Sequence, residues 1–317
     1  MALRMDPELA QLLSTATLPT WPRGVVRGDW LGLRASGEAA LAALDSLLPE
    51  NAEIERVDDL ATSYDGASML VRWYRAKDVP TSDAGPAVIY LHGGGMIAGT
   101  VELYDRLVAA YVADSGVPML AVDFRRAAED PHPAPVEDAF AGLAWLHERA
   151  SAFGIDPGRI ALMGDSGGGG LAAGAALLAR DRGLPVAGQI LIYPMLDDRN
   201  TLPDPALAPF VGTHYDDNFT RWHALLGNAV GGPDVPEAAA PARAVDLSGL
   251  PPTYVEVGEL DIFRDESIEY ARRVAAAGTS VELHVHPGCI HGFDRVGAGT
   301  DVVRRSRADR IRVLQHL

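Results

Sequence analysis

Short apolar runs that alternate with helix-length segments fill the middle of this 317-residue chain. The runs are rich in β-branched residues and bounded by glycine or proline, which is typical of buried strands. They span residues 86–92, 118–124, 159–165, 186–194 and 251–258, and helical patterns span 103–115, 135–150, 167–182 and 264–277. Strands and helices in this alternation predict a mostly parallel sheet that is covered by helices on both faces.

Three further segments extend the predicted sheet to eight strands. Residues 68–76 alternate between apolar and polar positions, and we expect them to pair with residues 53–60 as an edge hairpin. Residues 281–287 supply the last strand. The fold class is therefore α/β, with an eight-stranded sheet in a domain that spans residues 51–317.

Two regions do not follow the strand and helix alternation. Residues 1–50 contain two amphipathic helix patterns, and residues 197–230 form a loop-rich aromatic segment. Long insertions in a compact domain often act as lids or binding elements. We expect both regions to form a helical cap over the carboxyl ends of the strands.

Composition limits the partners and the location of the protein. The formal charge of −16 would repel a phosphate backbone, so we do not expect nucleic acid as a partner. The sequence has no apolar run long enough to span a membrane and no signal-peptide pattern, and its single cysteine, Cys289, suits a reducing compartment. We therefore expect a cytoplasmic protein. The basic stretch 304–312 is interpreted as the solvated face of a helix.

The segment Gly164–Gly168, with sequence GDSGG, places a serine between a predicted strand and a predicted helix. Glycines two positions before and after the serine match the G-x-S-x-G nucleophile elbow, whose tight turn needs small neighbours and projects the hydroxyl above the sheet. Unpaired N–H groups at the start of the helix would stabilise negative charge there. Ser166 is the predicted nucleophile.

A serine nucleophile needs a base, which an acid in turn orients. In elbow enzymes the chain order is serine, acid, histidine, and the sequence offers Asp261 after one strand and His291 after the last strand. Glu256 and Glu259 remain competitors for the role of the acid. Among the later histidines, His284 and His286 lie within a strand, which favours His291 as the base.

Three consecutive glycines after His92 supply a second part of the predicted site. Ester attack creates an oxyanion, and glycine lets the reacting group approach backbone N–H donors closely. In elbow hydrolases these donors come from a glycine loop and from the residue after the nucleophile. We assign them to Gly93, Gly94 and Gly167, and expect His92 to hold the loop in shape.

These motifs, in this order, resemble the hormone-sensitive-lipase-like family of α/β-hydrolase carboxylesterases. The resemblance covers most of residues 55–295 and rests on HGGG at 92–95, DFRRAAEDPHPAPVED at 123–138, GDSGGGG at 164–170, YPMLDD at 193–198, GELDIFRDE at 259–267 and HGF at 291–293. Family members often carry an aromatic residue where Met96 stands and alanine where Gly167 stands. These departures concern the shape of the acyl pocket.

The resemblance implies hydrolysis of a small-molecule carboxylic ester through Ser166, Asp261 and His291, without a metal or cofactor, and it is compatible with a homodimer. The cap would complete the pocket. We expect short to medium acyl chains to bind against a set of apolar side chains: Met96, Ile97, Phe210, Phe219 and Trp222.

Three features of the sequence are compatible with other functions. The glycines at 167 and 169 with Ala172 can be aligned with a dinucleotide-binding pattern, but that match leaves the HGGG loop unexplained. A non-catalytic small-molecule receptor on the same fold is the alternative function, and it is disfavoured because His291 is present. A metal site at His284, His286 and Cys289 is less favoured than an ordinary strand face.

Overall fold

A computed structural model describes residues 3–15, 25–77, 84–210 and 214–317. Eight strands form one sheet in the order β1-β2-β4-β3-β5-β6-β7-β8, and only the β1–β2 and β2–β4 pairs are antiparallel. The predicted eight-stranded, mostly parallel sheet with an edge hairpin is thereby confirmed. The strands are β1 (Ile54–Thr62), β2 (Ser68–Ala76), β3 (Gly85–Leu91), β4 (Met119–Val122), β5 (Ile155–Asp165), β6 (Gln189–Ile192), β7 (Thr253–Gly258) and β8 (Val281–His286).

Helices cover both faces of the sheet, as the continuous apolar runs of the central strands require. One hydrophobic cluster joins the sheet to α4, α5 and α7, and a second joins the opposite face to α3 and α9. The helices are α1 (Pro7–Thr15), α2 (Trp30–Ser46), α3 (Asp105–Ser115), α4 (Ala134–Arg149), α5 (Gly167–Arg182), α6 (Tyr215–Leu226), α7 (Arg264–Ala276), α8 (Phe293–Val296) and α9 (Asp301–Gln315). Among the described residues, no helix is both long and apolar enough to cross a membrane.

Helices α2 and α6 lie against each other and above the loop that follows β3. Gly28 N donates to Thr220 Oγ1 over 2.9 Å, and Arg34 Nε on α2 donates to the carbonyl of Ile97. The segment 197–230, predicted as loop-rich, contains a regular helix, α6. Parts of the predicted cap, residues 1–2, 16–24 and 211–213, lie outside the described residues.

The basic stretch 304–312 lies on a helix and exposes Arg304, Arg305 and Arg312, as predicted for a solvated face, but one of its arginines departs from the prediction. Arg310 on α9 is 2% exposed. Its Nε donates to Glu256 Oε1 over 2.8 Å, and its Nη1 donates to Asp294 Oδ2 over 2.5 Å. Burial alone would raise the pKa of Glu256, but the Arg310 charge lowers this pKa to about 2. Arg310 is buried because it supplies the cation for two buried carboxylates.

We expect Arg310→Met to destabilise the protein by about 3 kcal/mol at pH 7, since it leaves buried carboxylates unpaired. With a folded-state pKa below its unfolded value, Glu256 stabilises the native protein above the unfolded pKa, and this contribution is lost as pH falls towards about 2. Without Arg310, burial would dominate and raise the pKa of Glu256. The contribution of Glu256 to stability would then increase, not decrease, as the pH falls. The difference in unfolding free energy between wild type and variant should therefore shrink when urea unfolding is repeated near pH 4.

Arg304→Met on the same helix is the matched control. Arg304 is exposed and pairs with exposed Asp301, so its loss should change stability by no more than about 1 kcal/mol. Equal destabilisation by the two substitutions at pH 7 would contradict the buried-cation interpretation.

Candidate active site

Ser166 occupies a strained turn between β5 and α5. Its backbone has φ 55° and ψ −119°, a conformation that non-glycine residues seldom adopt. Neighbouring backbones crowd the turn: a Cβ added to Gly164 would lie 2.3 Å from the carbonyl oxygen of Gly168, and one added to Gly168 would lie 2.0 Å from that of Leu91. Both flanking glycines are therefore sterically required, and the strain points to a functional turn.

The loops after β7 and β8 bring Asp261 and His291 to this serine. His291 Nε2 lies 3.0 Å from Ser166 Oγ, and His291 Nδ1 lies 2.7 Å from Asp261 Oδ2. Asp261 is fully buried, and its second oxygen accepts a hydrogen bond from the N–H of Phe263 over 3.0 Å. The three side chains form a continuous hydrogen-bonded chain from hydroxyl to carboxylate, the geometry of an activated serine.

The competing acids have other partners. Glu256 is held by Arg310 on the far side of β7, and Glu259 Oε2 accepts a hydrogen bond from Gly288 N over 2.9 Å. Asp265 lies in the first turn of α7 and pairs with Arg264 over 2.7 Å. Of these four acids, only Asp261 contacts His291.

Two aromatic rings fix the imidazole of His291. Tyr193 and Phe263 approach it edge-on, with ring centroids at 4.8 and 5.1 Å. Tyr193 has φ 35° and donates its hydroxyl proton to Asp294 over 2.8 Å. Sequence reasoning missed Tyr193, although the YP dipeptide directly after β6 was a signal that a turn at the site edge begins there.

The glycine loop after β3 lies beside the serine. Gly94 and Gly95 have φ 116° and 63°, and both line the cavity next to Ser166. Gly167 is the first residue of α5, so its N–H has no carbonyl one turn earlier to accept it. A Cβ on Gly167 would lie 2.8 Å from Gly95 Cα. Gly93 is not part of the cavity lining. It packs against Asp165 instead, since an added Cβ would lie 2.5 Å from Asp165 Oδ2.

His92 and Asp165 hold these backbones from behind. The His92 ring stacks on Phe124 with centroids 4.3 Å apart, and its Nδ1 donates to the carbonyl of Gly93 over 2.9 Å. Burial lowers the pKa of His92, which keeps the ring neutral. Asp165 accepts hydrogen bonds from the hydroxyls of Tyr90 and Tyr104 over 2.7 and 3.1 Å, and burial raises its pKa. Both side chains support the structure around the site, and His291 remains the group that takes the proton of Ser166.

The cavity at Ser166 has a volume of about 30 Å³, so it is narrow. Of the five predicted pocket residues, only Ile97 is among those that line it. Met96 and Trp222 are buried in the core, while Phe219 lies under Arg27 on the outer side of α6, and Phe210 packs in the second core cluster. Sequence reasoning missed most of the lining, which includes Leu33, Gly37 and Leu41 of α2, Arg221 of α6, Tyr193 after β6, and Arg295 of α8.

The other sequence patterns are accounted for by internal contacts. Side chains at Gly169 and Gly170 would collide with Pro194 and the carbonyl of Met195, so these glycines serve helix packing. His284 accompanies Glu282 and Asp309 in a cluster whose acids Arg312 already contacts. Cys289 lies apart from that cluster, and burial raises the pKa of its thiol to about 12, which makes it a poor nucleophile and metal ligand near neutral pH.

The chain is similar to known esterases in sequence and in fold. A sequence model described as an alpha/beta hydrolase fold matches residues 88–295. Carboxylesterase NlhH of Mycobacterium tuberculosis is 35% identical over 294 residues, which cover 91% of this chain and 88% of that protein. An ethyl acetate hydrolase of Pseudomonas putida is 34% identical over 251 residues, or 78% of each chain. The solved structure of a bacterial heroin esterase superposes with a TM-score of 0.88 at 36% identity, covering 98% of this chain and 97% of that one.

Proposed function

The chain belongs to the hormone-sensitive-lipase-like family of alpha/beta hydrolases and is a carboxylesterase, and we propose that Ser166, His291 and Asp261 perform its reaction through an acyl-enzyme intermediate. The observation that carries the proposal is the hydrogen-bonded chain from Ser166 Oγ through His291 to Asp261, with distances of 3.0 and 2.7 Å. Family membership confirms the resemblance drawn from the motifs, and the residue roles are our assignment.

In the first half-reaction, Ser166 Oγ attacks the ester carbonyl carbon while its proton passes to His291 Nε2. Asp261 holds Nδ1–H and stabilises the imidazolium that forms. The tetrahedral intermediate then breaks its bond to the alcohol oxygen, which receives the proton from His291. The alcohol leaves, and the acyl group remains bonded to Ser166 as an ester.

Water completes the cycle by the same route. His291 takes a proton from the water as its oxygen attacks the acyl carbon, and then returns a proton to Ser166 Oγ as the acyl–serine bond breaks. The products are a carboxylic acid and the free enzyme. Each proton transfer in this scheme is carried by His291, whose ring the Tyr193 and Phe263 contacts keep oriented.

The negative charge of both tetrahedral intermediates needs donors at the acyl oxygen. We assign this role to the N–H groups of Gly94 and Gly167, which border the serine, and each such donor is worth roughly 3 kcal/mol. Gly93, also predicted as a donor, packs on Asp165, so its contribution stays a prediction.

The α2 and α6 helices act as the cap in this proposal. Leu33 and Leu41 of α2 and Ile97 of the glycine loop supply apolar walls beside Ser166. These apolar walls suit the short to medium acyl chains that the sequence predicts. The homodimer and the cytoplasmic location stay predictions.

Ser166→Ala should reduce kcat for p-nitrophenyl acetate on the order of 10³-fold or more, because it removes the only atom that bonds to the acyl group. Initial rates at saturating ester would measure the loss, and an unchanged thermal unfolding midpoint would show that the variant is folded. A folded variant with near-wild-type turnover would contradict the proposal, because the ester would then be hydrolysed through another residue.

The identity of the acid has its own matched pair of variants. Asp261→Asn should lower kcat on the order of 10²- to 10⁴-fold, because an amide neither holds the same imidazole tautomer nor stabilises its charge. Glu259→Gln keeps an oxygen that can accept the Gly288 N–H, so its kcat should stay near that of wild type. A greater loss in Glu259→Gln than in Asp261→Asn would show that the acid is misassigned.

A further inference from the structure

Two arginine side chains line the same cavity as Ser166 and His291. Arg221 reaches it from α6, and Arg295 reaches it from α8. The protein as a whole is strongly acidic, with a formal charge of −16, so two guanidinium groups beside the nucleophile are a local departure from its overall charge. The proposed hydrolysis uses neither of them.

The guanidinium end of Arg295 is buried and has no hydrogen-bond partner among the described residues. Its Nη1 and Nη2 atoms are inaccessible to solvent, and neither bonds to any atom in the described part of the chain. The guanidinium carbon lies 4.8 Å from the centre of the Tyr104 ring, which offers a weaker cation–π contact. Asp165 faces the same guanidinium: burial raises the pKa of Asp165, and the Arg295 charge opposes this shift. The Asp165 oxygens nevertheless accept their hydrogen bonds from the hydroxyls of Tyr90 and Tyr104 and not from Arg295.

Arg221 is 8% exposed and also lacks an ion pair with any described residue. Burial lowers the pKa of Arg221, and the charge of Asp217, one turn earlier on α6, opposes this shift only in part. The side chain is fixed against the glycine loop, because a Cβ on Gly95 would lie 1.9 Å from Arg221 Cδ. An arginine keeps its charge even when buried.

Burying a guanidinium group without a hydrogen-bonded carboxylate is unfavourable for folding, and within the described part of the chain neither arginine has such a partner, which points to a functional role. A planar carboxylate is the group that the arginine fork binds best, through two parallel hydrogen bonds. We infer that the ester substrate of this enzyme carries a second, anionic group, a carboxylate, which Arg221 and Arg295 bind while the ester carbonyl lies at Ser166. The inference rests on the proposed function, since it names the substrate class of the same site.

Isosteric ester pairs test this inference. Phenyl hydrogen succinate and phenyl 4-methylpentanoate differ on the acyl side only in a carboxylate against an isopropyl group. The pair 4-acetoxybenzoate and 4-isopropylphenyl acetate makes the same comparison on the alcohol side. In at least one pair, wild-type kcat/KM should be roughly tenfold or more higher for the anionic ester, and that pair shows which side carries the charge.

The variants Arg221→Gln and Arg295→Gln should lower the anionic-to-neutral ratio of kcat/KM in that pair by roughly 10- to 100-fold. The ratio cancels any general loss from a disturbed cavity. Arg221→Lys and Arg295→Lys should recover part of it, because they keep the charge but lose the fork. Arg27→Gln, which removes an outer arginine paired with Asp216, should leave the ratio at its wild-type value.

Two results would overturn the inference. A wild-type preference for the neutral ester in both pairs would exclude an anionic substrate. Equal losses on charged and neutral esters in both glutamine variants would assign the arginines to structural support. Failure of the proposed function is distinguishable from either, because then none of the four esters would be hydrolysed in a Ser166-dependent manner.

Discussion

The site depends on the close approach of three backbones around Ser166: the end of β3, the start of α5 and the glycine loop. The carbonyl oxygen of Leu91 occupies the space that a side chain at Gly168 would need, and the carbonyl oxygen of Gly168 occupies the space that one at Gly164 would need. Gly95 lies against Gly167. Only glycine permits separations this short. The same contact that strains the serine therefore brings N–H groups of two elements to one point, so the nucleophile and the assigned oxyanion donors share a steric cause.

The sheet then sorts carboxylates of similar chemistry into different roles. Glu256 and Asp261 are five residues apart, yet Glu256 faces Arg310 on one side of β7, whereas Asp261 lies beyond its carboxyl end and faces His291. Parallel strands deliver loops from distant parts of the chain to one edge. A residue's place before or after the strand end, more than its type, decides whether it supports the fold or borders the site.

Sequence periodicity and motif order sufficed for the sheet, most helices and the grouping of Ser166, Asp261 and His291, because each depends on local spacing or on strand order. They failed where the outcome depends on a partner far along the chain. Arg310 was assigned to solvent because its counterion, Glu256, precedes it by 54 positions. Trp222 was assigned to the pocket because an aromatic pattern marks an apolar face without saying what covers it. Arg221 and Arg295 carried no local signal of their shared cavity.

The most direct test of the account is to titrate the enzyme with diethyl p-nitrophenyl phosphate and locate the adduct by peptide mass spectrometry. Attack by an activated oxygen would form one oxygen–phosphorus bond and release one p-nitrophenolate for each active site. We expect a single diethylphosphoryl group on Ser166, with esterase activity lost in proportion and no adduct in Ser166→Ala. An inactivating adduct on any other residue, or full activity after Ser166 is modified, would contradict it.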